Sequence, residues 1–363
     1  MTSRTGLQLR GWIRVYCDAS ILRALADINA PTANQSISTL DHVLIVCGRA
    51  GDKLDLIISL IEIIQRKYFT PTSYVGGADS HPLTCINDAL PLQNTNCHIP
   101  VLSDFPSVLA FQSHLVTEPF ILRNYARNWP ALNEHPWYSS SYLRSVSGPG
   151  RIVPVEIGKD YRSEKWTQGL INWDDFLASL DLMDQPHLPP PSETIYLAQH
   201  DLLLQFPGLR ADITIPDYVY ATVDPNIFPN HRPPGNDDEL AISAWLGPGG
   251  TISPAHTDPY FNTFVQVVGC KTVWLAPPEF KEYMYPYPMS THSGPTSINP
   301  SMLNTSRVDV FSSENSKFPN FQDQVVPKAQ GASLNPGDLL FIPPGWWHAM
   351  RSETTSFSVS MWF

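Results

Sequence analysis

The stretch "SPAHTDPYFN", residues 253–262, sets His256 and Asp258 two positions apart in a chain with only 16% charged residues. Both side chains bind metals and carry protons, and two readings of the pair fit the sequence. One is a polar turn ahead of a strand, held by local hydrogen bonds. The other is half of a metal site that takes a further ligand from elsewhere. In an extended segment residues i and i+2 share a face, so the two side chains can be aimed at one point.

A third donor in rigid surroundings occurs 90 residues on. "FIPPGWWHAMRS" carries His348 behind two prolines, a glycine and two tryptophans, at the end of an apolar run. Two imidazoles and one carboxylate on one face of an ion form the donor set of non-haem Fe(II) sites with open positions. Zinc is more commonly four-coordinate with nitrogen and sulfur donors. Alone, His-x-Asp is a weak motif and His348 reads equally as a packed core residue. Strand context at both ends favours the metal reading.

Lys271 is the sole charged residue between Asp258 and Glu279, in a segment rich in Val, Phe and Trp. A lysine in a buried strand needs a partner, and an anionic cosubstrate would supply one. The competing reading is an edge lysine whose ammonium reaches solvent. Ser253 and Asn262 could add neutral hydrogen bonds to the same acid.

These residues require strands to hold them. "AISAWLG" (241–247), "TFVQVVG" (263–269), "KTVWLAP" (271–277), "DLLFIPP" (338–344) and "SFSVSMWF" (356–363) follow one another with Gly and Pro between them. Short strands so spaced predict a sandwich or small barrel. "RIVPVEIG" (151–158) alternates like a strand, 118–132 holds a short apolar strand and a turn, and "WDDFLASL" (173–180) starts a helix with two acids in its first turn. "YLAQHDLLLQF" (196–206) reads as a second helix, 222–239 as a polar loop, and 279–330 as a surface excursion with little periodicity. At the other end of the chain, apolar residues at 54, 57, 58, 61 and 64 predict a helix ending in Arg66 and Lys67. Residues 1–40 are expected to be helical and 70–98 a linker, which divides the chain into 1–98 and 99–363.

Thirty-five prolines, about twice the usual share, favour many short elements over a helical bundle. A net charge of −11 with no Lys/Arg-rich run excludes direct binding to phosphate backbones, and suits either a basic peptide substrate or solubility alone. Five cysteines without a CxxC pair predict free thiols in a reducing compartment. No secretory leader or membrane span is expected, because Leu54–Ile64 is short and interrupted by polar residues.

"WLGPGGTISPAHTDPYFNTFVQVVGCKTVWLAPP" followed by "LNPGDLLFIPPGWWHAMRS" resembles the Jumonji-C (JmjC) family of Fe(II)- and 2-oxoglutarate-dependent oxygenases. "RIVPVEIGKDYRSEKW", "YLAQHDLL", "ITIPDY" and "NTSRVDV" narrow the likeness to the branch called bifunctional peptidase and arginyl-hydroxylase, also described as a histone lysine demethylase. The resemblance covers about residues 99–363. It implies a mainly β fold, a double-stranded β-helix of jelly-roll, cupin-like form, with flanking helices and a short helical N-terminal region. It places iron ligands at His256, Asp258 and His348, and 2-oxoglutarate contacts at Tyr196, Ser253, Asn262 and Lys271. Groove residues fall at Glu156, Trp166 and Trp245, where an acid among tryptophans suits a guanidinium or alkylammonium group.

The activity so implied is hydroxylation of a protein side chain with Fe(II), 2-oxoglutarate and O2, releasing succinate and CO2. An arginyl target is favoured over methyl-lysine, in a histone, a ribosomal protein or another peptide substrate, within the nucleus and/or cytoplasm. The alternatives are a peptidase and a non-catalytic metal-binding barrel. No nucleophile–base set or HExxH motif supports the first, and Lys271 argues against the second.

Overall fold

The computed structural model describes residues 4–26, 28–70, 74, 92–185, 193–236, 238–288 and 302–363. Most of the expected linker, including Cys85, lies outside these residues. Three helices come first: α1 (Arg4–Ala26), α2 (Ala33–Cys47) and α3 (Leu54–Tyr68). In α3 the helical spacing turns Ile57, Ile61 and Ile64 inward, against Ile37, Leu40 and Leu44 of α2 and Cys17 and Ile21 of α1. These helices thus have an apolar cluster of their own.

Fourteen strands follow among the described residues. The first six are β1 (Cys97–His98), β2 (Val101–Leu102), β3 (Phe120–Leu122), β4 (Ile152–Ile157), β5 (Thr167–Asn172) and β6 (Ile195–His200). Next come β7 (Ala241–Gly247), β8 (Ile252–Thr257), β9 (Asn262–Val268) and β10 (Lys271–Ala276). The last are β11 (Gln330–Leu334), β12 (Leu339–Ile342), β13 (Trp347–Ser352) and β14 (Ser356–Trp362). They form a five-stranded sheet in the order β1-β11-β10-β13-β8 and a nine-stranded sheet in the order β2-β3-β12-β9-β14-β7-β6-β4-β5.

Period-two alternation explains how the sheets stack. Leu340 and Ile342 of β12 and Phe264 of β9 point inward to meet Val273, Leu275, Leu334 and Met350 of the other sheet, giving a jelly-roll barrel interior. The alternate set, Leu339, Phe341, Val265, Val359 and Met361, faces outward and is capped by Trp137, Trp173, Phe176 and Phe206 from the flanking helical layer. With both faces covered, the central strands read as continuous apolar runs. The turn between β9 and β10 requires Gly269: its φ is +68°, and a Cβ there would lie 2.0 Å from the Thr355 carbonyl oxygen.

Three expectations are corrected. "YLAQHDLLLQF" is not one helix but β6 followed by a single turn at Leu202–Gln205, because a bulge at Leu197–His200, with Gln199 at φ +49°, ends the strand. The 279–330 segment is not merely a surface excursion. Val308, Val310, Phe321 and Val325 pack on Trp274 and Trp347 and cover the outer face of the small sheet, while 289–301 lies outside the described residues. Finally, Cys17, Cys47 and Cys97 are free thiols as expected, but Cys270 is disulfide-bonded.

The helices are joined to the barrel by a buried ion pair. Arg151 donates three hydrogen bonds to the Asp41 carboxylate (2.7–3.0 Å), which also accepts from the Ile152 N–H and from Gln205 Nε2. Replacing Asp41 by Ala would leave a buried guanidinium unpaired and should cost about 3–5 kcal/mol. A urea melt checks this, and Asp41→Ala should lower the midpoint strongly with a single transition retained.

Candidate metal and acid-binding site

Strand register brings the two histidines together. His256 of β8 pairs directly with His348 of β13, and their ring centroids are 4.2 Å apart. Asp258 lies just past β8, where the Gly345 N–H donates to its carbonyl oxygen (2.8 Å) and so ties the β8 exit to the turn before β13. One donor atom from each of His256, Asp258 and His348 lies within 4.8 Å of the others. Asp258 Oδ2 is 3.4 Å from His348 Nε2 and 3.9 Å from His256 Nε2.

The tautomers suit a metal. His256 Nδ1 lies 2.8 Å from the Pro254 carbonyl oxygen and His348 Nδ1 3.0 Å from that of Trp346, so each Nδ1 carries hydrogen and each Nε2 is the atom turned to the cluster. Burial pushes His256 down to about 4, aided by the neighbouring His348. For His348 burial acts in the same direction, but the Asp258 carboxylate outweighs it and the net shift is upward. Burial would raise Asp258, yet its hydrogen bond to His348 and the two imidazoles hold it below the usual carboxylate range. Two neutral-capable imidazoles and an ionised carboxylate converge, and this donor set fits a divalent cation.

Behind the cluster lies a narrow recess. It is lined by Tyr196, Ser253, Asn262 and Lys271 together with His256, Asp258 and His348. All four residues expected to contact the acid therefore converge there. Lys271 begins β10 and is 2% exposed. Its Nζ lies 3.4 Å from the Tyr196 hydroxyl and near the Phe264 ring, with no carboxylate opposite it among the described residues. Burial alone pushes Lys271 down from 10.5 to about 7. Asn262 Oδ1 is also buried without a hydrogen-bond partner among the described residues. An unmatched cation and an unmatched amide beside a metal donor set are complementary to a small acid.

Outside the recess a groove of about 520 Å³ opens, and its lining includes Glu156, Trp166 and Trp245. Trp166 Nε1 donates to Glu156 Oε2 (3.2 Å), and Trp245 Nε1 donates to Ser360 Oγ (2.9 Å). Burial raises Glu156, partly offset by the Trp166 hydrogen bond. Tyr161, Met302, Asn304, Thr305 and Trp362 also line the groove and were not singled out from the sequence. Asn304 Nδ2 donates to the Thr257 carbonyl (2.7 Å), which holds this part of the chain on the edge of β8. Tyr161 lies within the quoted "DYRSEKW", where an aromatic between charged residues was the available signal.

The Lys271 ammonium has a measurable consequence. In the unfolded chain it holds its proton up to 10.5, in the folded protein only to about 7, so the destabilisation is full below pH 7 and relieved as pH rises towards 10.5. Lys271→Met should raise stability at neutral pH by roughly 1 kcal/mol or more. The gain should fall as pH rises above 7 and be nearly gone by about pH 10.5, as read by urea melts across pH.

A family model described as a cupin-like domain matches residues 109–363. The chain is 34% identical over 365 residues to Jumonji C domain-containing protein 5 of Drosophila melanogaster, covering 99% of this chain and 82% of that protein. It is 33% identical to lysine-specific demethylase 8 of Danio rerio, over 97% of this chain and 81% of that protein. Lysine-specific demethylase JMJ30 of Arabidopsis thaliana is 34% identical over 69% of this chain and 51% of its own length. The first two likenesses extend over α1–α3, further than the 99–363 to which the sequence resemblance was confined. No helix among the described residues is long and apolar enough to cross a membrane. With a cupin-like match over residues 109–363 and a JmjC-domain relative 34% identical over 99% of it, the chain belongs to the cupin-like JmjC family.

Proposed function

We propose that this chain is an Fe(II)- and 2-oxoglutarate-dependent dioxygenase that hydroxylates a protein side chain, with arginine the favoured target. The observation that carries the reading is Lys271: a buried ammonium with no counter-charge among the described residues, at the back of a recess whose mouth holds two histidines and an aspartate. A structural metal site has no use for it. Bound together, Fe(II), 2-oxoglutarate and O2 supply the oxidant for C–H hydroxylation, with succinate and CO2 released. His256, Asp258 and His348 would hold the metal. Lys271 and Tyr196 would take the distal carboxylate of the acid, and Ser253 and Asn262 its remaining polar contacts.

The chain's own contribution is binding, orientation and exclusion of water. Trp245 and Trp362 line both recess and groove, where their rings would shield the acid from bulk solvent. Glu156, flanked by Trp166, offers a carboxylate and an aromatic face to an incoming cation. A planar guanidinium can pair with that carboxylate through two N–H donors. The same pocket admits a methylated ammonium, and hydroxylation of an N-methyl carbon gives a hemiaminal that loses formaldehyde. The demethylase names of the relatives favour keeping this second outcome. Residues 1–98 are read as a mostly helical region and linker ahead of a 99–363 catalytic domain, acting on protein substrates in the nucleus and/or cytoplasm.

Mass spectrometry of arginyl and methyl-lysyl peptides after turnover separates the outcomes, since hydroxylation adds one oxygen and demethylation removes one methylene. Glu156→Gln should lower kcat/KM for the arginyl peptide by at least about 30-fold, the equivalent of ~2 kcal/mol for losing a buried charge pair. Peptide-independent succinate release should be unchanged. Full arginyl activity in Glu156→Gln would remove the assigned role.

A further inference from the structure

The groove does not end at Glu156. It shares Glu156, Gln168 and Ala198 with a second hollow of about 320 Å³, whose walls include Pro154, Leu170 and Val46 of α2. That hollow shares His42 with a third, of about 330 Å³, beside Ile152. All three follow one face of β4. Glu156, Pro154 and Ile152 alternate onto that face while Val153 and Val155 turn into the core. β4 is therefore the floor of a trough that runs from the metal cluster to the N-terminal helices.

The chemistry changes along it. Glu156 at the mouth is, among the described residues, the only acid lining the first two hollows apart from the metal-cluster aspartate. Beyond it the second hollow has mainly apolar, open walls, with Val46 61% exposed and Leu170 42% exposed, and the third turns polar, with Ser20, Arg23, Gln35 and Thr39. From Glu156 to Ile152 an extended chain travels about 13 Å, roughly four residues. A trough of this length, continuous with the target-residue groove, matches the main chain on one side of the modified residue. We infer that it is a docking track for that flanking segment of the substrate polypeptide, which lies extended over β4 and places apolar side chains against Leu170 and Val46. The inference rests on the proposed function. It makes α2 part of substrate selection, so the enzyme would act on extended segments and poorly on isolated residues.

The test compares succinate release from arginine-centred peptide libraries of two lengths. One ends a single residue either side of the arginine. The other is extended on either its N- or C-terminal side by about six residues, roughly 20 Å of chain. One of the two extended libraries should show kcat/KM about tenfold above the short one, carried by KM. Val46→Asp and Leu170→Asp, each at an exposed position, should erase that gain while leaving kcat and the short-peptide values unchanged. Fluorescence anisotropy with the labelled extended library gives the same comparison without turnover. Equal kcat/KM for short and extended libraries, or a gain that survives both variants, would overturn the track and leave the proposed function standing. No succinate from any library by the Fe(II)-loaded protein would overturn the proposed function and the track with it.

Discussion

The pairing of β8 with β13 is the constraint on which the site depends. It sets His348 opposite His256 and, through the Gly345–Asp258 hydrogen bond, fixes the loop that carries the carboxylate. Strand side chains alternate between faces, so a slip of one residue would send either histidine to the outer face of the small sheet. The apolar alternation on both sheets forbids that slip. Trp347 and Ala349 must face Val308 and Phe321 on the outside, and Met350 must face the barrel interior. Packing of ordinary hydrophobic residues thus determines where three polar donors converge.

The same packing carries a charged group into the recess. β10 lies beside β13 and is buried along its whole length, so Lys271 at its start is carried inside with the apolar residues that follow. Gly269 permits the tight turn that begins the strand there. Burying an ammonium without a counter-ion is unfavourable, and the fold tolerates it because the surrounding sheets supply ample apolar burial. A bound acid would relieve the mismatch. Stability withheld from the free protein would thereby be available as affinity for such an acid.

Much of this was legible in the sequence. His256 and Asp258 declared themselves by their i, i+2 spacing, and Lys271 by being the lone charge in an apolar run. The central strands were visible because both their faces are covered. Other parts were not, for physical reasons. β8 contains Pro254 and polar residues, and β11 is short and polar, so neither carries an apolar pattern. The β6 bulge merges a strand with a helical turn in one apolar stretch. Val308, Val310, Phe321 and Val325 reach their core from loops and short turns, where no period exists to betray them. Asn304 and Thr305 line the groove only because a distant segment folds over β8, a long-range arrangement that local patterns do not encode.

The most direct measurement is calorimetric binding of 2-oxoglutarate to Co(II)-loaded and metal-free protein, wild type beside Lys271→Met. The account predicts that wild type binds the acid, more tightly with metal present, and that Lys271→Met keeps the metal but loses the acid. Undiminished binding of 2-oxoglutarate by Lys271→Met would contradict it, because the buried ammonium would then have no part in the site.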